Sequence, residues 1–134
     1  MQKGRKDHRI MVIDDEPLIR DVLSRFLLDF GLQAKAVVTA EEALDEIRVQ
    51  YYDLCFLDYI LPGMTGLEAL KKINELSPTT KVVIMTGTFF DEATIEYIKE
   101  HSYAFIEKPF SLSQISKVIK SMVFALPAQQ MIWE

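Results

Sequence analysis

The chain has 134 residues, 20 of them acidic and 15 basic, for a formal net charge of −5. One domain of this length buries roughly two-thirds of its unfolded surface and needs no staple; the single Cys55 excludes a disulfide framework and any paired-cysteine metal or redox motif, and an apolar content of 49% excludes a disordered or collagen-like chain. The acidic balance argues against nucleic-acid binding, which needs clustered Lys and Arg, no apolar run reaches the ~20 residues of a membrane span, and the basic start MQKGRKDHR lacks the apolar stretch of a signal peptide, so the expectation is a soluble protein of a reducing cytoplasm that contacts neither nucleic acid nor membrane.

In chain order, residues 1–8 read as a flexible basic leader, 9–126 as the domain, and 127–134 as a tail or the start of a linker. Ile10–Ile13 is a short apolar run suited to a strand covered on both faces. Leu18, Val22, Phe26, Leu27 and Phe30 then recur at helical spacing, with Pro17 in the first turn and Gly31 past the end. Gln33–Val38 carries Lys35 and reads as an edge strand. Thr39 and Glu42 make a capping-box pattern ahead of Ala43, Leu44 and Ile47. Leu54–Leu57 is a further buried strand, with Cys55 as core filler. Thr65 and Glu68 repeat the capping pattern ahead of Leu67, Leu70 and Ile73. Val82–Met85 is the fourth strand, and Asp91–Glu100 a helix with the thin apolar face Ala93, Ile95 and Ile98. After the last strand, Ala104–Ile106, Ser111 and Gln114 open a helix with Leu112, Ile115, Ile119, Met122 and Leu126 on one stripe. Strands alternating with helices imply right-handed βαβ units in an open, doubly wound sheet of the α/β class. Such sheets carry their sites at the carboxyl ends of the strands.

Those ends are where the polar residues gather. The first strand runs into Asp14, Asp15 and Glu16, the third into Asp58, the fourth ends at Thr86 before Gly87 and Thr88, and the fifth runs into Lys108-Pro109. Carboxylates crowded together raise one another's pKa, and a hard divalent cation removes the conflict. Lys108 supplies one positive charge on a long arm, and Thr86 one hydrogen-bond donor. A carboxylate beside Mg²⁺ can attack phosphorus, with the transferred charge spread over the cation, Lys108 and Thr86. The residues therefore point to phosphorylation of Asp58. Alone, Asp14 and Asp15 also read as strand-end charges or helix caps, and Asp58 as a turn residue; four such coincidences at neighbouring strand ends favour the chemical reading.

The segments IMVIDDEP at 10–17, LCFLDYILPGMTGLEAL at 54–70, VVIMTG at 82–87 and FIEKPF at 105–110 together resemble a response-regulator receiver domain of two-component signalling, over about residues 9–126. The resemblance implies a flavodoxin-like five-stranded parallel sheet in the order 2-1-3-4-5 with five helices. It implies that Asp58 is the phospho-acceptor. Mg²⁺, or Mn²⁺ in its place, would be held by Asp15 directly, by Asp14 through water, and by Asp58 and the carbonyl of Ile60. Lys108 would contact the phosphoryl group, with Pro109 in a cis X–Pro turn, and Thr86 would be the switch hydroxyl. Phe105 takes the aromatic switch position and, lacking a hydroxyl, reports by packing alone. Ile60 and Thr88 match the positions flanking the attacking water in self-dephosphorylation; Ile60 cannot orient water, which predicts a phosphoryl group that lasts many minutes or longer.

By the same resemblance the chain is a regulatory acceptor and not an enzyme acting on other substrates. Its donor would be a sensor histidine kinase or phosphotransfer protein, and its output a surface of the fourth helix, fifth strand and fifth helix. No DNA-binding helix pair or catalytic output domain follows, so the expectation is either a stand-alone regulator or a receiver with a missing output domain. Three other readings compete. A degenerate receiver would act as a phosphorylation-independent binding module. A small phosphatase with an Asp nucleophile would carry a second Asp where Ile60 stands. A flavodoxin-like electron carrier would need a phosphate-binding loop where this chain has three acids.

Overall fold

The computed structural model describes residues 8–87 and 90–124. Ten elements alternate: β1 (Arg9–Ile13), α1 (Pro17–Asp29), β2 (Gln33–Val37), α2 (Ala40–Val49), β3 (Leu54–Asp58), α3 (Gly66–Leu76), β4 (Lys81–Thr86), α4 (Glu92–His101), β5 (Ala104–Glu107) and α5 (Leu112–Val123). The five strands form one parallel sheet in the order β2-β1-β3-β4-β5. The predicted α/β class, doubly wound sheet, strand order and five helices are all present. The predicted leader and tail fall largely on residues 1–7 and 125–134, outside the described residues.

The period-2 alternation of strands builds two cores. Met11, Ile13, Cys55, Leu57, Val82 and Ile84 point to one face and pack with α2, α3 and Ile98 of α4. Ile10, Val12, Leu54, Phe56, Val83 and Met85 point to the other and pack with Leu23 and Leu27 of α1 and Ile115, Val118 and Ile119 of α5. Each fully buried Leu, Ile or Phe contributes about 1.5–3 kcal/mol. The central strand β3 is buried along its whole length. β2 pairs only with β1 and leaves Lys35 exposed, as the edge reading requires.

Thr65 and Ser111 make full capping boxes, accepting from the amides of Glu68 and Gln114 while those side chains return to the cap backbone. Thr39 caps the Glu42 amide at 3.1 Å, and its hydroxyl donates to the Glu42 carboxylate at 3.3 Å. In α4 only Ile98 is buried, matching its thin apolar face.

The apolar stripes of α1 and α5 are only partly buried. In α1 the buried residues are Leu23 and Leu27, whereas Leu18 and Val22, which share the helical apolar spacing, are 71% and 39% exposed. The inward row runs through Ile19, Leu23, Phe26 and Leu27, which is the row that β1 and β3 cover. In α5, Leu112 is 42% exposed, and Leu126 lies outside the described residues. No helix among the described residues is long and apolar enough to cross a membrane.

Candidate functional site

The strand order brings the ends of β1, β3, β4 and β5 side by side along one edge. Asp14 leaves β1 with its amide still on the ladder, donating to Val37 O at 3.2 Å. Its carboxylate is fully buried and accepts from the Glu16 amide at 2.9 Å. Arg20 donates to the Asp14 carbonyl at 2.9 Å, tying the turn to α1. Asp58, the last residue of β3, is 4% exposed and accepts from the Ile60 amide at 3.3 Å. Thr86 closes β4, is 1% exposed, and takes the Lys108 amide on its carbonyl at 2.7 Å.

Lys108 enters from the loop after β5, where the Lys108–Pro109 peptide is cis, as the resemblance led us to expect. Its ammonium reaches Asp14 at 3.0 Å, Glu16 at 3.1 Å and Asp58 at 3.4 Å. Oxygens of those three acids lie within 4.8 Å of one another. Three carboxylates against one ammonium leave an excess of negative charge in a largely water-excluded place. Burial pushes the Asp58 carboxyl up to about 6, and the Asp14 charge adds to the rise; Lys108 and the Ile60 amide pull the other way. Burial works against the Lys108 ammonium, but the bond and charge of Asp14, then Asp58 and Glu16, outweigh it and hold Lys108 above its ordinary value. The buried Asp14 and Asp58 oxygens, with this surplus of negative charge around them, fit a hard divalent cation such as Mg²⁺.

The structure thus gathers Asp14, Asp58, Lys108 and Thr86 at one edge. Asp15 is exposed and stands outside the carboxylate group, where Glu16 is found instead. From sequence Glu16 was only a third acid in a run. The available signal was its place just before Pro17, where a helix favours Ser, Thr, Asp or Asn and this chain has a longer acid. The Ile60 side chain is 58% exposed at the rim. Thr88 lies outside the described residues. Phe105 is half-buried and faces Phe90 at 6.1 Å between ring centroids, and Phe90 meets Tyr59 edge-on at 4.5 Å. An aromatic row therefore runs from the residue after Asp58 to β5.

The segment after Asp58 is tightly clasped. Ile60 and Thr65 form an antiparallel bridge, Tyr59 donates to Met85 O at 2.9 Å, and Gly66 donates to Tyr59 O at 2.8 Å. A Cβ at Gly66 would lie 2.5 Å from Tyr59 Cα, so only glycine allows this approach. On the other side of Lys108, an open groove of about 460 Å³ runs between α1 and the start of α5, lined by Glu16, Leu18, Val22, Lys108, Pro109 and Leu112 among others.

Residues 10–120 match the family described as response regulator receiver domain. The nitrogen assimilation regulatory protein NtrX of Azorhizobium caulinodans is 37% identical over 110 residues, covering 81% of this chain and 24% of that protein. The DNA-binding transcriptional regulator NtrC of Escherichia coli K12 is 28% identical over 130 residues, covering 97% of this chain and 27% of its own length. The solution structure of the beryllofluoride-activated NtrC4 receiver domain dimer aligns with a TM-score of 0.80 at 30% identity, over 89% of this chain and 98% of that one. The chain spans about a quarter of the curated relatives it matches. The match begins in the first strand and runs into the last helix, so the acidic strand ends lie inside a shared architecture and the chain belongs to the response regulator receiver domain family.

Proposed function

We propose that this receiver takes a phosphoryl group onto Asp58 from a phosphohistidine of a sensor histidine kinase or phosphotransfer protein. The observation that carries the reading is the buried Asp58 carboxylate, set beside Asp14 and paired with Lys108 at the carboxyl edge of the sheet. One Asp58 oxygen attacks phosphorus, the phosphorus–nitrogen bond to the donor imidazole breaks with its electron pair going to the ring, and an acyl phosphate forms. Lys108 neutralises charge on the phosphoryl oxygens, and Thr86 donates to one of them. Asp14, Asp15, Asp58 and the Ile60 carbonyl would hold Mg²⁺, with Mn²⁺ as a substitute; bound there, the ion supplies compensating charge for the incoming phosphoryl group. The groove beside Lys108, with Leu18 and Leu112 exposed along it, suits an apolar helix of the donor.

The phosphoryl group adds about −1.5 to −2 charges and three acceptor oxygens. Thr86 moves toward it, Phe105 repacks, and the α4–β5–α5 surface shifts toward its second arrangement, biasing an output domain or partner protein. The domain promotes its own phosphorylation and a slow dephosphorylation, and turns over no other substrate. Ile60 and Thr88 set the pace of that loss, and an apolar Ile60 leaves the water unoriented.

The test is incubation with acetyl phosphate and Mg²⁺, read by intact mass. One phosphoryl group is expected on the wild type, none on Asp58→Asn, and a faster decay of the label in Ile60→Asn. Loss of the wild-type label within seconds refutes the slow-decay reading. Absence of any label turns the reading to a degenerate binding module, and steady hydrolysis of an added phosphate ester turns it to a phosphatase.

A further inference from the structure

Glu16 is the N-cap residue of α1, yet its side chain makes no cap hydrogen bond. Short polar residues are favoured there because they reach back to the first-turn amides. The Glu16 carboxylate instead crosses to the loop after β5 and accepts from Lys108 at 3.1 Å. An ammonium has three donors, and the three carboxylates around Lys108 stand at 3.0, 3.1 and 3.4 Å. They differ in kind. The side chains of Asp14 and Asp58 are 0% and 6% exposed and locked at strand ends, whereas that of Glu16 is 59% exposed on a longer arm at the rim. The Glu16 pair is the one that solvent screens and that most readily yields.

The geometry points to Glu16 as a positioning residue for Lys108: it draws the ammonium toward the rim while Asp58 is unmodified and gives it up when Asp58 carries a phosphoryl group. This rests on the reading of Asp58 as acceptor. Lys108 now sits closer to Asp14 and Glu16 than to Asp58. A phosphoryl group brings more charge and more acceptor oxygens than one solvated carboxylate, so the lysine transfers to it. Glu16 in this role restrains the resting site, because it competes for the cation that phosphoryl transfer needs.

The test compares the wild type with Glu16→Gln and Glu16→Asp on two readouts. In trace acetylation with acetic anhydride, read by peptide mass with Lys71 and Lys81 as internal references, Glu16→Gln raises Lys108 reactivity at least threefold and Glu16→Asp lies between. With acetyl phosphate at saturating Mg²⁺, Glu16→Gln is labelled three to ten times faster, while its Mg²⁺ dissociation constant by calorimetry moves less than twofold. Unchanged Lys108 reactivity overturns the inference whether or not the protein takes phosphate. Tenfold weaker Mg²⁺ binding in Glu16→Gln makes Glu16 a metal ligand and overturns it as well. Raised Lys108 reactivity in Glu16→Gln beside a wild type that never labels upholds the hold on Lys108 and strikes only the acceptor reading.

Discussion

Where the strands of the sheet begin, the Thr80 hydroxyl donates to the Tyr52 carbonyl at 2.6 Å, Ser77 and Thr80 share a hydrogen bond at 2.7 Å, and the Tyr52 hydroxyl donates to Glu46 at 3.0 Å. Burial, with the bond to Glu46, pushes the Tyr52 phenol up to about 12, so it stays neutral. Where the strands end, two buried carboxylates and a third at the rim share one ammonium. Both edges bury polar groups. The first satisfies them with hydrogen bonds that crowd no like charges together, and gains stability and a fixed geometry. The second leaves charge unbalanced, a local conflict that a fold tolerates where it needs chemistry.

The sharpest way to break this contrast is Lys108→Ala, which strips the last counter-charge from Asp14 and Asp58. Without metal at pH 7.5, urea unfolding is expected to register a loss of about 3 kcal/mol, and saturating Mg²⁺ to recover part of it. Asp58→Asn pushes the other way, with the metal-free protein gaining on the order of 2 kcal/mol at neutral pH. The sign follows from the carboxyl standing at about 6 when folded against an ordinary 3.8. Between those values the folded state binds the extra proton, so metal-free stability falls as pH rises through that window and the penalty is complete above it. Asp58→Asn is expected to flatten that slope in a pH series of unfolding curves, and Mg²⁺ to flatten it in the wild type. At the opposite edge, Thr80→Val loses the bonds to Tyr52 and Ser77 and is expected to cost about 1–2 kcal/mol. That loss is expected to be the same with and without Mg²⁺. A Thr80→Val cost that changes with Mg²⁺ would mean that the two edges are coupled.

The sequence made the scaffold legible because its local signals agree. Apolar runs of the right length marked the buried strands, Lys35 marked the edge strand, and the Thr65 and Ser111 boxes marked helix starts that the structure keeps. The acids, Thr86 and Lys108 were legible as strand-end residues once the topology put them on one edge. The stripes are less legible. Leu18, Val22 and Leu112 share the apolar spacing of their helices yet are exposed, and all three line the groove beside Lys108. Periodicity reports that a residue is apolar and on a stripe; it cannot tell a stripe that meets the sheet from one left open at its rim. Glu16 was underread for a different reason: which acid of the run reaches across to Lys108 depends on the dihedral angles of the turn before α1.

The glycine at the head of α3 decides which wall of the site can give. Pressed against Tyr59 and bonded to its carbonyl, Gly66 leaves the chain after Asp58 no slack, and lengthening residues 59–65 by one would part the bridge of Ile60 with Thr65. Across the site, Gly87 is exposed, and a Cβ added there would meet nothing closer than 3.7 Å. Asp58 is thus mounted on the tightly packed wall, and the looser backbone of the site lies at Gly87, on the β4 side.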